Sequence, residues 1–173
     1  MKRILLVSIM CLIISNFIGC KNNTQNIVNQ IQNEKQIEIT LYFPNKAYVN
    51  TGDELLAKIL PEKRLVSIGN KIKEKVIVEE LLKGPNGINL DKLSDKLKLI
   101  DVKVQDGTAF VDFKGEGLSG GSLEEELAVD SIVNSLTEDI NIKQVQFLID
   151  GKVVETLMGH IDTSKPIGRK DVK

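Results

Sequence analysis

The sequence is poor in the residues on which many kinds of site depend. Among its 173 residues there is no tryptophan, one histidine and two cysteines, and aromatic residues make up only 4%. These counts exclude a zinc site rich in histidine or cysteine, a CxxC redox motif and a disulfide framework. The net charge of −1, from 23 basic and 24 acidic residues, gives no electrostatic basis for binding nucleic acid. We therefore expect no cofactor, no metal and no nucleic-acid partner.

The rest of the composition is that of a globular protein. Apolar residues make up 42% and charged residues 27%, so neither wholesale disorder nor a protein with many membrane spans is indicated. The length allows one domain with short extensions, because domains usually have about 100 to 200 residues. We predict a single folded domain.

The N-terminus has the features of an export signal. Lys2 and Arg3 precede a mostly apolar run over residues 4–18, which is shorter than the ~20 residues of a membrane-spanning helix and suits a signal peptide. The run ends in Phe17-Ile18-Gly19-Cys20, which resembles the bacterial lipobox. The resemblance implies cleavage after residue 19 and a diacylglyceryl group on the Cys20 sulfur. The alternative is an uncleaved, marginal membrane anchor, and either one holds the domain on the extracytoplasmic face of the cell membrane.

Cleavage would leave Cys20 as the only cysteine, so the mature domain could form no internal disulfide. The following segment, residues 21–36, contains nine Asn or Gln among its sixteen residues and no helix start or stop signals. We interpret residues 20–36 as the lipidated cysteine and a flexible tether.

The folded domain is predicted over residues 37–163. Apolar residues alternate over residues 37–43, as in a half-buried strand. Residues 53–60 suggest a short helix and residues 64–68 a second strand, although residues 47–65 are poorly determined. A helix is predicted from an N-cap at Asn70 to the stop signal Gly84-Pro85.

Two hairpins and a second helix complete the pattern. Asp106-Gly107 and Asp150-Gly151 each lie between apolar alternating runs, which favours a two-residue type I′ turn, and the second hairpin is expected to extend to residue 157. Between them, Ser122 and Glu125 have the spacing of a capping box at the start of a helix. The element order predicts an α/β (α+β) fold, a two-layer sandwich of two main helices on one mixed sheet. Residues 164–173 are predicted to be a disordered tail.

Several of these segments together resemble the GerMN domain family, named for sporulation and spore germination. The resemblance covers residues 37–166 in the family's order. It implies a compact module similar to ring-building motifs, carried by exported, often lipid-anchored proteins of Gram-positive bacteria, with no established catalytic centre. The segments that carry it are residues 78–85, 106–113, 128–138, 145–151 and 159–162.

Other motifs are better explained by structure than by chemistry. The glycine-rich loop over residues 115–121 precedes a helix, but Glu116 and the glutamates of the first turn would repel phosphate. His160 and Asp162 suggest a base and its orienting group, yet no nucleophile has a recognisable setting. Asn134 is interpreted as a hydrogen-bonded structural amide. The acidic residues at 79–80 and 124–126 are interpreted as solvated faces, and the basic residues of the tail as solvated.

Three functional hypotheses follow. The first is a non-catalytic interaction domain, anchored to the membrane by lipid, that binds protein partners in the cell envelope or further copies of itself. It would act in sporulation, spore germination or envelope assembly. The second is a small ligand-binding lipoprotein that recognises a cell-wall fragment, and the third is a wall hydrolase that uses His160 and Asp162.

Overall fold

The computed structural model describes residues 35–169. The predicted signal peptide, Cys20 and all of the predicted tether before residue 35 lie outside these described residues, as do residues 170–173. The elements in chain order are β1 (Gln36–Pro44), α1 (Lys46–Thr51), β2 (Ile59–Ser67), α2 (Lys73–Lys83), β3 (Leu99–Gln105), β4 (Thr108–Phe113), α3 (Ser122–Leu136), β5 (Gln144–Ile149), β6 (Lys152–Val153) and β7 (Ile167–Gly168).

The strands form two sheets. β1 and β2 pair antiparallel over their full nine residues, while β3, β4, β5 and β6 follow one another in a second sheet in which β7 also pairs with β5. β4 and β5 are parallel, and α3 is the crossover that such a pair requires. The α/β class and the mixed sheet are confirmed. The prediction of one sheet is wrong, because β1 and β2 form a separate ribbon.

One hydrophobic core joins the two sheets and the helices. Phe43, Phe113 and Phe147, from β1, β4 and β5, are all fully buried in it. α3 contacts β1, α2 and β5, so it lies where both sheets can pack against it. The apolar face of α3 is buried in this core and comprises Ala128, Val129, Ile132, Val133 and Leu136.

The main helix ends differ in how well local signals predicted them. α2 ends as predicted at Gly84, whose N–H donates to the Leu81 carbonyl at 3.1 Å. It begins two residues later than predicted, because Ile72 and not Asn70 is the residue at its N-terminal boundary. The α3 boundary is also one residue off: Gly121, not Ser122, is the N-cap, and its N–H donates to Glu124 Oε2 at 3.4 Å. The predicted box between Ser122 and Glu125 is therefore wrong.

The region over residues 47–65 contains a helix that sequence reasoning missed. Asn45 starts α1, because its Oδ1 accepts from the Ala47 N–H at 3.1 Å while its Nδ2 donates to the Ala57 carbonyl at 2.8 Å. The helix predicted over 53–60 is absent from this part of the described chain. Asp53 instead accepts from the Leu55 N–H at 2.9 Å, as in an Asx turn, and β2 then begins at Ile59.

Both Asp-Gly hairpins are confirmed, with the second one shorter than predicted. β6 ends at Val153, and the chain then leaves the sheet. The predicted disordered tail also needs correction over residues 164–169, because β7 pairs with β5 in this range. Arg169 then donates to the Asn134 carbonyl at 2.8 Å and to the Glu138 carboxylate. The folded domain thus extends to at least residue 169.

Candidate functional site

The structure does not bring His160 and Asp162 together as a catalytic pair. The His160 ring Nε2 lies 3.2 Å from the Gly120 carbonyl. The Asp162 carboxylate accepts from the N–H and the hydroxyl of Ser164, at 2.9 and 2.6 Å, and these bonds lower its pKa. The His160 ring thus contacts the loop before α3, while the Asp162 carboxylate holds its own turn, and neither is placed to orient the other.

Glu125 has a role that sequence reasoning did not assign. Its side chain is fully buried, and its two oxygens accept from three backbone N–H groups, those of Leu157 and Met158 at 2.8 Å and of His160 at 2.7 Å. It was interpreted as part of a solvated helix start. The carboxylate instead holds residues 157–160 against the first turn of α3, which is why the second hairpin does not continue to residue 157.

The acidic residues predicted to be solvated are mostly paired with cations. Glu79 bonds Lys71 at 2.6 Å, and Glu80 bonds Arg64 at 2.9 Å and also Lys83. Within residues 35–169, three or more His, Cys, Asp or Glu side chains nowhere converge in a way that could hold a metal ion. In the same range, no helix has the length and apolar content to span a membrane.

A polar cavity lies between α1, the segment before β2, and α3. Its volume is about 590 Å³, within the range of small-molecule sites. Asn134 reaches it from α3, and its Nδ2 donates to the Asp130 carbonyl at 2.8 Å, so the predicted structural amide is also part of a cavity wall. The cavity is lined by Tyr48, Glu54, Leu56, Ala57, Lys58, Ile59, Asn134 and Arg169.

The charged groups beside this cavity are unequally satisfied. Lys58 bonds Glu126, and this hydrogen bond raises the pKa of the Lys58 ammonium. Asp130, one turn further along α3, is only 3% exposed, and its Oδ2 has no hydrogen-bond partner. Burial and the neighbouring Glu126 carboxylate raise the pKa of Asp130 to about 7, against the opposing effect of Lys58. No sequence pattern distinguishes this aspartate from an ordinary polar residue of a helix.

A second cavity, of about 550 Å³, lies at the start of α3 and has a mainly apolar wall. Val49 from α1 and Leu123 from α3 contribute to it, and both are more than a third exposed. Pro44, Leu93 and Leu127 complete its apolar part. These two concavities thus differ in character, one polar and one apolar, and each includes a residue of α1: Tyr48 in the first and Val49 in the second.

Comparison with known protein families identifies the family of this domain. A model of the family described as Germane, sporulation and spore germination, matches residues 40–155, which is more than half of the chain. The chain belongs to this family, and the resemblance to GerMN domains is confirmed. No curated protein matches it.

Solved structures agree with this assignment. A predicted lipoprotein from Clostridium perfringens is 25% identical with a TM-score of 0.51, over 79% of this chain and 90% of that one. The first GerMN domain of the sporulation protein GerM from Bacillus subtilis is 21% identical with a TM-score of 0.61, over 78% and 99%. The tandem GerMN domains of the same protein give 22% and 0.59, over 78% of this chain and 46% of that one. The two GerM structures share the fold.

Proposed function

We propose that this protein is a lipoprotein, held on the outer face of the cell membrane through Cys20, whose Germane domain acts by binding other molecules of the cell envelope. Its setting would be sporulation, spore germination or envelope assembly. The observation that carries the proposal is the succession, in one chain, of a lipobox-like Phe17-Ile18-Gly19-Cys20 and a Germane domain over residues 40–155. The similarity to a predicted lipoprotein adds support.

The hydrogen bonding of the candidate catalytic residues supports an interaction role over hydrolysis. His160 and Asp162, the residues suggested by sequence for a wall hydrolase, are each engaged with neighbouring backbone or side-chain groups. A general base must lie within reach of the proton it removes and must be oriented by a partner group. His160 and Asp162 bond to other groups and do not orient each other.

Lipidation is tested by labelling with radioactive palmitate in cells that express the full chain. We expect the label on the wild-type protein and none on Cys20→Ala, because the thioether and the subsequent acylation both require that residue. Cys11→Ala is the matched control, since Cys11 lies within the predicted signal peptide, and it should keep the label. Label on the Cys20→Ala protein would exclude the anchor.

The interaction role is tested by cross-linking in intact cells. We expect specific cross-linked species on the membrane during sporulation or germination, identified by mass spectrometry. Only uncross-linked monomer at every growth stage, or digestion of purified cell walls by the protein that His160→Ala abolishes, would contradict the proposal.

A further inference from the structure

The described chain begins at one end of the ribbon that β1 and β2 form. Gln36, the first residue of β1, pairs with Ser67, the last residue of β2. Just outside this pair, the Ile68 N–H donates to the Lys35 carbonyl at 3.3 Å. The chain between Cys20 and β1 spans at most about 55 Å, and about 20 to 25 Å as a coil. A lipid on Cys20 would therefore keep this end of the ribbon close to the membrane.

Exposed isoleucines lie at the same end of the ribbon. Lys73, the first residue of α2, bonds Asp139, in the segment after α3, at 3.0 Å. Both residues line a small cleft together with Glu38 of β1, which places them near the start of that strand. Their chain neighbours Ile72 and Ile140 are both exposed, Ile140 by 91%. Two adjoining segments thus present aliphatic side chains to solvent where the chain enters the domain.

The outermost charge beside these isoleucines is positive. Lys71 pairs with Glu79 and Lys73 with Asp139, and in both pairs the lysine side chain is the more exposed partner. Lys35, just before β1, is exposed as well. Lysines that surround aliphatic side chains are typical of protein surfaces that contact anionic lipid. We call this the basal surface, and it consists of Lys35, Lys71, Ile72, Lys73 and Ile140.

We propose that the basal surface docks on the outer face of the membrane that holds the protein. Its isoleucines enter the boundary between head groups and acyl chains, and its lysines pair with anionic head groups. A few contacts suffice, because a tethered domain meets its own membrane at a high effective concentration. The inference rests on the proposed anchor at Cys20 and adds to it the face that the domain turns towards the lipid.

Ile88 offers a matched comparison at the other end of the ribbon. It is 93% exposed, and the carbonyl of its neighbour Asn89 accepts from the Lys46 N–H at 3.1 Å. Lys46 starts α1 just past Pro44, the last residue of β1. The two ends of this nine-residue strand are about 26 Å apart. If the basal surface lies on lipid, Ile140 meets the membrane and Ile88 does not.

A single tryptophan can report contact with lipid, because the chain contains none. Ile140→Trp and Ile88→Trp are made in the full chain, purified from the membranes of expressing cells and reconstituted in vesicles of phosphatidylcholine and phosphatidylglycerol, with or without brominated acyl chains. We expect bromine to quench about half of the emission of Ile140→Trp and less than about a tenth of that of Ile88→Trp.

The second variant also controls for the preference of tryptophan itself for the membrane interface. Equal quenching of the two variants, or quenching of neither, would overturn the inference. Circular dichroism establishes that both variants are folded.

The contribution of charge is tested in the Ile140→Trp protein. Lys35→Gln and Lys46→Gln each remove one exposed cation, the first from the basal surface and the second from the opposite end of β1. We expect Lys35→Gln to lower the quenching by about twofold and Lys46→Gln to leave it unchanged. An equal loss in both would show that net charge alone acts, and would overturn the assignment to this surface.

Two readouts separate the docking from its premise and from a protein occupant. The mass of the purified protein shows whether Cys20 carries lipid. Lipidated protein without quenching of Ile140→Trp would overturn the docking and leave the anchor, quenching without lipid on Cys20 would do the reverse, and neither lipid nor quenching would overturn both. Emission from Ile140→Trp at short wavelength that bromine does not quench, and that dilution in the membrane reverses, would assign the surface to a second copy of the chain and overturn the docking.

Discussion

Glu125 and Asp130 are two buried acids on one helix that differ in their hydrogen bonding. Both side chains are buried on α3. Glu125 accepts three short hydrogen bonds from backbone N–H groups, whereas Asp130 Oδ2 accepts none from the protein. The first carboxylate is held by backbone donors as a structural element of the domain, whereas burial of the second without a donor costs stability when it is ionised.

At the residue scale, Glu125→Gln should destabilise the domain. The amide keeps the size of the side chain but turns one acceptor into a donor that faces N–H groups of residues 157–160. We expect a loss of about 2 to 3 kcal/mol in the free energy of unfolding, measured by urea denaturation followed by circular dichroism. Glu116→Gln, on an exposed loop, is the control and should change it by less than ~0.5 kcal/mol. Equal stability of the two variants would show that the buried bonds contribute little.

At the scale of elements, the two hairpins have nearly the same turn in different surroundings. Asp106 and Gly107 have φ of 51° and 75°, and Asp150 and Gly151 have φ of 50° and 78°, so both turns have the left-handed backbone of type I′. A Cβ on Gly107 would lie 3.3 Å from the Asn141 carbonyl oxygen, while one on Gly151 would meet nothing within 4 Å. A side chain at either glycine would therefore have the same cost of a left-handed backbone. Only at Gly107 would its Cβ also come into close contact with another part of the chain.

Gly151→Ala and Gly107→Ala separate these two effects. We expect Gly151→Ala to lower the free energy of unfolding by about 1 kcal/mol, the cost of a left-handed conformation with a side chain. Gly107→Ala should lose more, because the loop over residues 141–143 must also shift. Chemical denaturation of both variants measures the difference. A larger loss at Gly151 would contradict this account of the turns.

The same elements show what sequence can and cannot predict. The hairpins and the end of α2 were predicted because their signals, Asp-Gly and Gly-Pro, act within a few residues. α1 was missed although its cap Asn45 is a local signal, because six residues are too few to show a helical pattern. β7 was missed because it exists only by pairing with β5. The polar cavity was missed because four separate segments build it.

At the scale of the whole molecule, ionisable groups make opposing contributions to stability. Paired carboxylates, among them Glu138 beside Arg169 and Asp139 beside the Asn141 N–H, have lowered pKa values. Their contribution to the free energy of unfolding is present at pH values above their ordinary pKa, and it is lost as the pH falls through the lowered pKa. Asp130 has the reverse effect, because its pKa is raised to about 7 in the folded state. Its folded form retains the proton where the unfolded chain has lost it, so stability falls as the pH rises from about 4 to about 7.

Asp130→Asn should remove this part of the pH dependence. The variant cannot ionise, so its free energy of unfolding relative to wild type should rise between about pH 4 and about pH 7, and then level off. The total change is on the order of 4 kcal/mol, since one pKa unit corresponds to about 1.4 kcal/mol. Urea denaturation of both proteins across this range measures it. A constant difference between them would show that Asp130 ionises normally in the folded protein.

The position of Arg169 has a practical consequence. Its guanidinium lies 5.3 Å from the centre of the Tyr42 ring, bonds α3 and lines the polar cavity, so one side chain both fastens the end of the described chain and forms part of the cavity wall. A purification handle or a fluorescent reporter fused behind residue 173 would start only four residues beyond it. Bait proteins and immobilised forms for binding screens are better built with their labels elsewhere on the domain, for instance in the exposed loop that carries Glu116.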